Sequence, residues 1–372
     1  MSASGSAVWR NDQTAPRAAT PRISVILPVR DGGAYLAGAV ASILGQTFAD
    51  FELLVIDDGS RDAAVAALAP LAARDPRLRL LKNPGAGLVA ALNFGLAQAR
   101  AELVARMDAD DVALPERLAR QIAFLDASPD VALVGAQVAF IDAAGAPTGE
   151  RSHFPTAPQA VAAALTDRGC VIRHPTTVAR KAALIAAGGY RPACEGAEDY
   201  DLWLRLSERA RLANLPDALL DYRVHRRQTS AGINLDQRFA HDLALLAARM
   251  RRASGADPLD GVGEALRFDR PFPAGWTPPS SVAALVAAYA ALAWFERRGK
   301  TEPPDSAGLA SLVVCARARL LGGDRRYRVL SLCRCARLAA RRHDWRLAAE
   351  AAELALLIGP GRAARQLAGG RA

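Results

Sequence analysis

Three features that would define a protein class at once are scarce or absent in this sequence: cysteine, long apolar runs and a signal peptide. Its five cysteines are odd in number and lack metal-finger spacing, which argues against a disulfide framework. No run approaches the roughly 20 apolar residues that span a bilayer, and the Ala-rich stretch 282–294 predicts a buried helix. Residues 1–21 have no apolar core, so we expect a disordered tail and a cytoplasmic protein.

The sequence does contain apolar runs of strand length that alternate with helical patterns. Ile23–Val29 and Phe51–Ile56 are continuous apolar runs, and Tyr35–Leu44 between them has apolar residues at helical spacing. Such alternation predicts a parallel sheet covered on both faces, with ligands at the carboxyl ends of its strands. Asp31 and Asp58 each lie two residues after the end of one of these predicted strands.

The alternation continues through the next 60 residues. We predict a helix over 63–71, a strand over 78–81, a helix over 88–99, a strand over 103–105 and a helix that begins near Pro115. The segment therefore extends the same α/β domain.

An acidic cluster follows the last of these strands. Asp108, Asp110 and Asp111 lie within four residues, and carboxylates this close resist joint ionisation unless a cation compensates them. Oxygen ligands suit Mg²⁺ or Mn²⁺. The alternative is a solvated acidic turn that caps the next helix.

Several short segments at ordered intervals carry a resemblance to a known family. They are Val25–Asp31, Ser42–Phe48, Val55–Ser60, Asn83–Gly95, Ala105–Asp111, His174–Thr177 and Gly196–Trp203. Their order and spacing resemble the family 2 glycosyltransferases with the GT-A fold, over about residues 22–230. The resemblance implies a Rossmann-like α/β fold with a mixed, mostly parallel sheet and flanking helices.

For the nucleotide-sugar donor, the resemblance implies a pocket at the first two strands. Asp58 would contact the nucleobase, the backbone of Pro28 and Val29 would support the same pocket, and Asp31 would order the loop. Asn83 belongs to the same nucleotide-sugar site. A structural alternative is that Asp58 and the aspartate before it only form a turn.

For the metal, the resemblance implies Mn²⁺ or Mg²⁺ bound by Asp110, with Asp108 reaching the ribose or the ion through water. Arg106 is a candidate for the phosphates. His225 and Arg223 are candidates for a role at the diphosphate, with His225 as a further metal ligand.

A second acidic pair supplies the predicted catalytic base. The resemblance implies that Asp199 accepts the proton of the acceptor hydroxyl as it attacks the anomeric carbon, which gives inversion. Glu198, His174 and Trp203 are expected on the acceptor side. The alternative is that Glu198 and Asp199 only stabilise the helix dipole, and that His174 and Trp203 are structural.

The organisation changes beyond about residue 232. We predict a GT-A domain over 22–232, a helix and linker over 233–281, and an all-α region over 282–372. Residues 317–346 hold ten arginines and two acidic residues. Three explanations for these arginines are solvation, binding of nucleic acid and contact with an anionic membrane surface. We expect no nucleic acid, and we retain peripheral contact with the inner face of the membrane as a hypothesis.

The sequence thus predicts a metal-dependent inverting glycosyltransferase. Its donor would be a nucleoside diphosphate sugar, a UDP-sugar in the favoured case, and its acceptor a glycan or lipid-linked molecule of cell-envelope polysaccharide synthesis. A nucleotidyltransferase is the alternative enzyme, but Arg30–Gly33 is a poor triphosphate loop. A non-catalytic scaffold that binds sugar nucleotides is the alternative outside the enzymes.

Overall fold

The structure, a computed structural model, describes residues 20–226, 228, 235–296, 304–317 and 325–367. The predicted tail therefore lies outside the described residues up to position 19. The chain divides into two compact units, the first made of residues 1–191 and 202–231 and the second of residues 192–201 and 232–372.

In the described part of the first unit, the strands form one mixed sheet. They are β1 (Ile23–Val29), β2 (Phe51–Asp57), β3 (Leu78–Lys82), β4 (Leu103–Arg106), β5 (Val112–Ala113), β6 (Val131–Ile141), β7 (Pro147–Arg151), β8 (Val178–Arg180) and β9 (Arg211–Arg223). The order is β3-β2-β1-β4-β8-β6-β9-β5, and β7 pairs with β6. The first four strands in this order are parallel, whereas β8 and β5 pair antiparallel with their neighbours. The predicted mixed, mostly parallel sheet is confirmed.

Helices connect these strands and make up the regular structure beyond residue 235. They are α1 (Leu36–Leu44), α2 (Ala69–Ala72), α3 (Leu88–Gln98), α4 (Arg117–Ala127), α5 (Pro158–Asp167), α6 (Lys181–Ala186), α7 (Glu198–Ser207), α8 (Leu235–Ser254), α9 (Ser280–Glu296), α10 (Ser306–Arg317), α11 (Arg325–Arg341), α12 (Trp345–Ile358) and α13 (Pro360–Leu367). Short 3₁₀ turns occur at Ala66–Leu68, His174–Thr176 and Pro192–Cys194.

The core of the first unit explains the apolar runs in the sequence. Every residue of β1 and β2 is buried, as expected for parallel strands covered on both faces. On one face, α3 approaches so closely that a Cβ atom at Gly95 would lie 2.6 Å from Ile26 Cγ2 and 2.9 Å from Ile56 Cδ1. Glycine therefore sets the distance between this helix and the sheet.

One local prediction was wrong. The helix predicted over 63–71 is a 3₁₀ turn and the single turn α2, where Pro70 lies in the first turn. His174 begins a 3₁₀ turn that also contains Pro175. Strand β9 ends at Arg223, two residues before His225.

The second unit is helical in its described part beyond residue 235, which confirms the predicted all-α region. Its core includes the edge-to-face pair of Phe239 and Tyr289, and the Tyr289 hydroxyl donates to buried Asp242 at 2.6 Å. Residues of the predicted linker pack inward, among them Leu259 and Phe268. Within the described residues, no helix is both long enough and apolar enough to cross a membrane.

Candidate active site

The strand ends that carry the polar residues are neighbours in the sheet. The β1–β4 ladder pairs Ile26 with Arg106, and the Met107 N–H donates to the Ile26 carbonyl at 3.0 Å. That ladder ends before Pro28, which has no N–H to donate. Beyond this point β1 continues beside β2, whereas the chain after β4 turns away from the sheet. The ends of β1 and β2 and the loop that carries Asp108, Asp110 and Asp111 therefore lie at one edge of the sheet.

Asp58 lies at this edge and its carboxylate is held by the next loop. It accepts hydrogen bonds from Asn83 Nδ2 at 2.7 Å and from the Gly87 N–H at 3.0 Å, while its own N–H donates to the Val29 carbonyl at 2.8 Å. Asp57 makes the turn, since its Oδ1 accepts the N–H of Ser60. The structure therefore brings Asp58, Asn83 and the end of β1 together.

Asp31 organises the loop after β1. Its φ of 53° lies in the left-handed region, which aspartate tolerates better than most residues. Its Oδ1 accepts the N–H groups of Arg61 at 2.6 Å and Asp62 at 3.3 Å, and the hydrogen bond from Arg61 lowers the pKa of this carboxyl. The side chain thus ties the loop after β1 to the loop after β2.

The acidic cluster is compact. One ligand oxygen from each of Asp108, Asp110 and Asp111 lies within 4.8 Å of the others. Arg106 forms an ion pair with Asp108. Burial raises the pKa of Asp111 well above its usual value, and its Oδ2 is buried with no hydrogen-bond partner among the described residues. A buried carboxylate oxygen left without a partner is costly unless a cation binds it.

Residues at the end of β9 and just after it hold this cluster from the other side. Arg223 donates its N–H to Asp111 Oδ1 and its Nε–H to the Asp110 carbonyl, both at 2.8 Å. His225 Nε2 lies 2.9 Å from Asp110 Oδ2. The Arg223 guanidinium and the His225 ring also pack against Tyr35, at 4.6 Å and 5.0 Å from its ring centre. These contacts fix the backbone at Asp110 and the carboxylates of both Asp110 and Asp111.

The donor set fits a hard divalent ion. Three carboxylates within one small volume supply the oxygen ligands that Mg²⁺ and Mn²⁺ prefer, and a neutral imidazole is an acceptable further ligand for Mn²⁺. The residues present that could hold such an ion are Asp108, Asp110, Asp111 and His225.

His174 is part of a buried aromatic cluster in the same unit. Its Nε2 lies 2.9 Å from the Tyr190 hydroxyl, and its ring packs edge-to-face on Trp203 with centres 5.7 Å apart. Burial lowers the pKa of His174 well below 6.5, so the imidazole is neutral at physiological pH. Asn93 fixes the cluster from α3, because its amide donates to the Tyr190 carbonyl and accepts the Tyr190 N–H.

The predicted base lies at the beginning of α7. Glu198 and Asp199 are in the first turn of this helix, where the dipole favours carboxylates. Glu198 accepts the N–H of Gly196 at 2.9 Å, and Asp199 Oδ1 accepts the N–H of Tyr200 at 2.7 Å. The first of these hydrogen bonds fixes the loop that enters the helix.

Comparison with known proteins identifies the family. The family model described as Glycosyl transferase family 2 matches residues 24–187. The O-antigen biosynthesis glycosyltransferase WbnJ of Escherichia coli is 33% identical over 213 residues, which are 56% of this chain and 81% of that protein. The chain belongs to glycosyl transferase family 2. The amylovoran biosynthesis glycosyltransferase AmsE of Erwinia amylovora is 33% identical over 51% of this chain and 70% of its own length.

Solved structures agree on the fold of this family 2 glycosyltransferase. The crystal structure of S. aureus TarS 1–349 in complex with UDP-GlcNAc has a TM-score of 0.56 and 18% sequence identity, and the match covers 92% of each chain. The GT-A fold implied by the sequence resemblance is confirmed.

Sequence reasoning missed one residue of the site, Arg117. It is the first residue of α4, and its side chain is completely buried behind the strand that leads to the acidic cluster. In the sequence it lies in a polar helix start, where an arginine is usually exposed. No sequence pattern distinguishes Arg117 from an exposed arginine at a helix start.

Proposed function

We propose that this family 2 glycosyltransferase is a metal-dependent inverting enzyme that uses a UDP-sugar to extend a glycan or lipid-linked acceptor in cell-envelope polysaccharide synthesis. The observation that carries the proposal is the cluster of Asp108, Asp110 and Asp111 at the sheet edge that also holds Asp58. The names of WbnJ and AmsE support polysaccharide synthesis, and UDP-GlcNAc bound to TarS supports a UDP-sugar.

On the donor side, each residue has a defined task. Asp58, oriented by Asn83, accepts an N–H of the base, and the end of β1 supports it. Asp110, Asp108 and His225 are the proposed metal ligands. A divalent ion bound there supplies charge neutralisation for the leaving diphosphate. Arg106, whose Nε is buried with no hydrogen-bond partner among the described residues, adds a fixed positive charge.

On the acceptor side, Asp199 is the proposed general base. An acceptor hydroxyl loses its proton as it attacks the anomeric carbon, so a carboxylate aligned opposite the leaving diphosphate gives a single displacement with inversion. The family motif and the position in the first turn of α7 support this assignment. Glu198, His174 and Trp203 are the other residues proposed on the acceptor side. The buried ring pair of His174 and Trp203 is proposed to shape that side.

The donor assignment is tested by calorimetric titration of UDP, GDP and dTDP with and without Mn²⁺. We expect one nucleotide, UDP, to bind at least about 10-fold more tightly with the ion, because Mg²⁺-like ions bind one or two carboxylates together with phosphates. Tighter binding of GDP or dTDP would correct the base and leave the reaction class intact. Absence of nucleotide binding under every condition would overturn the active transferase.

The proposal includes peripheral contact with the inner face of an anionic membrane. Arg334, Arg337 and Arg341 are exposed on α11 at positions i, i+3 and i+7, which places them on one helix face. Each arginine near an anionic surface contributes about 1 kcal/mol. We expect flotation with anionic but not neutral vesicles, and loss of flotation when the three arginines are changed to glutamine. Equal flotation of the triple variant would assign these arginines to solvation alone.

A further inference from the structure

Arg117 is an unusual residue because a whole guanidinium is buried. Its side chain is 0% exposed, and arginine is almost never fully buried unless its charge is paired. Among the described residues, however, no carboxylate lies within ion-pair distance of it. Burial lowers the pKa of Arg117 to about 9, which leaves the group charged at neutral pH.

Its shortest hydrogen bonds go to the two residues directly before the acidic cluster and to Gln121 in its own helix, α4. Nη2 donates to the Arg106 carbonyl at 2.7 Å, and Nη1 contacts Met107 Sδ at 3.4 Å. Nε donates to Gln121 Oε1 at 3.2 Å, and Gln121 Nε2 donates in turn to the Thr176 carbonyl at 2.6 Å. The planar guanidinium therefore joins the end of β4 to the first turns of α4, and Gln121 extends this network to the 3₁₀ turn at His174–Thr176.

The charge of Arg117 also acts on the carboxylates. Burial raises the pKa of Asp108, and the positive charges of Arg106 and, more weakly, Arg117 oppose that rise. Asp111 and Asp108 in turn oppose the lowering of the Arg117 pKa by burial. Arg106 pairs with the same Asp108 directly. The cluster thus lies between one cation that contacts it and a second cation buried behind its backbone.

We propose that Arg117 is a positioning residue for the metal and nucleotide site, where its guanidinium fixes the end of β4 so that Asp108 and Asp110 project in one geometry. This inference rests on the proposed function, because the ion and the nucleotide are the ligands that such positioning serves. The competing explanation is that Arg117 only attaches α4 to the sheet. Outer-shell partners of metal ligands typically contribute 10- to 100-fold to affinity, whereas a purely structural anchor changes stability alone.

Arg180 offers a matched control in the same unit. It is half-buried, and its guanidinium also holds backbone carbonyls, those of Leu125 at 2.7 Å and Val131 at 3.1 Å. Its hydrogen bonds join β8, α4 and β6 without involving the acidic loop. Arg180→Met therefore removes comparable carbonyl hydrogen bonds and should lower stability while leaving the carboxylates in place.

The test measures two quantities in the full chain for the wild type, Arg117→Lys, Arg117→Met and Arg180→Met. The first is the Kd of UDP in the presence of Mn²⁺, and the second is hydrogen exchange of the backbone amides of residues 106–112 without ligand. We expect Arg117→Met to weaken binding by at least about 10-fold and to speed exchange in this segment. Arg117→Lys, which keeps the charge and one hydrogen bond, should be intermediate. Arg180→Met should stay within about 2-fold of the wild type.

Each outcome decides between the explanations. Wild-type affinity in folded Arg117 variants would overturn the proposal. If the wild type binds neither Mn²⁺ nor UDP, the proposed function fails. Hydrogen exchange in residues 106–112 then still decides whether Arg117 holds this loop. Exchange in Arg117→Met at the wild-type rate would overturn the positioning role as well. If Arg117→Met does not fold, Arg117→Lys carries both measurements.

Discussion

Asp199→Asn is expected to lower the rate of sugar transfer at least about 100-fold while the Kd of the nucleotide-sugar stays within about 2-fold. Positioned general bases contribute roughly 10²- to 10⁴-fold, and the amide keeps the size of the carboxylate but accepts no proton. Two quantities are measured. The first is the rate of nucleoside diphosphate release in the presence of an acceptor on which the wild type is active, and the second is the affinity for the donor from calorimetric titration. A large loss of kcat with unchanged donor affinity would identify a group that acts on the acceptor.

The competing explanation for Asp199 is the helix dipole, and the chain contains a control for it. Asp236 lies in the first turn of α8, as Asp199 does in α7. Asp236→Asn loses a comparable dipole interaction of roughly 0.3–1 kcal/mol and should leave transfer within about 2-fold of the wild type. If both variants lose stability and activity in proportion, Asp199 is structural. If Asp199→Asn loses donor affinity as strongly as rate, it contacts the donor and is not the base.

Much of the proposed donor side of the candidate site is predictable from the sequence, for a definite physical reason. Strands buried on both faces must be continuous apolar runs, and β1 and β2 are such runs with every residue buried. Parallel strands present their carboxyl ends at one edge. The residues that follow these runs, among them Asp31 and Asp58, are therefore placed together by the topology alone.

The contacts that hold the acidic cluster from β9 were not predictable in the same way. They depend on β5, which has only two residues and pairs Val112 with Asp221 in an antiparallel register. That short pairing brings Arg223 to Asp111 across more than a hundred residues of sequence. A two-residue strand has no periodicity to detect, and the register of β9 on β6 is interrupted by irregularities.

The buried Arg117 shows a second limit. Composition and helical spacing assign a charged residue at a helix start to the surface, because burial of a lone charge is costly. Here the cost is offset by backbone and side-chain acceptors at the end of β4 and in α4, the nearest being the Arg106 carbonyl. Such a set of acceptors exists only after the sheet and α4 have packed, so no local sequence pattern predicts the burial of Arg117.

Asp110→Ala is expected to remove the part of nucleotide binding that depends on the metal. In the wild type, affinity for UDP should rise with Mn²⁺; in the variant the titrations with and without Mn²⁺ should coincide, and transfer should be lost. Asp110 is the proposed direct ligand, and loss of an outer-shell partner alone costs 10- to 100-fold, so loss of a ligand should cost at least about 100-fold in metal affinity. The substitution also removes the contact between Asp110 Oδ2 and His225 Nε2, which are 2.9 Å apart in the wild type.

Two further variants make this result specific. Asp126→Ala removes an exposed carboxylate of α4 that pairs with Arg22, so it changes net charge by the same amount and should bind UDP and Mn²⁺ as the wild type does. Asp110→Asn keeps a hydrogen-bond acceptor for His225 but lacks the charge that holds a divalent ion. If Asp110→Asn retained metal-dependent binding, Asp110 would act by orienting His225. If Asp110→Ala lost nucleotide equally with and without the ion, it would contact the nucleotide, and the metal would have to be held by Asp108 and Asp111.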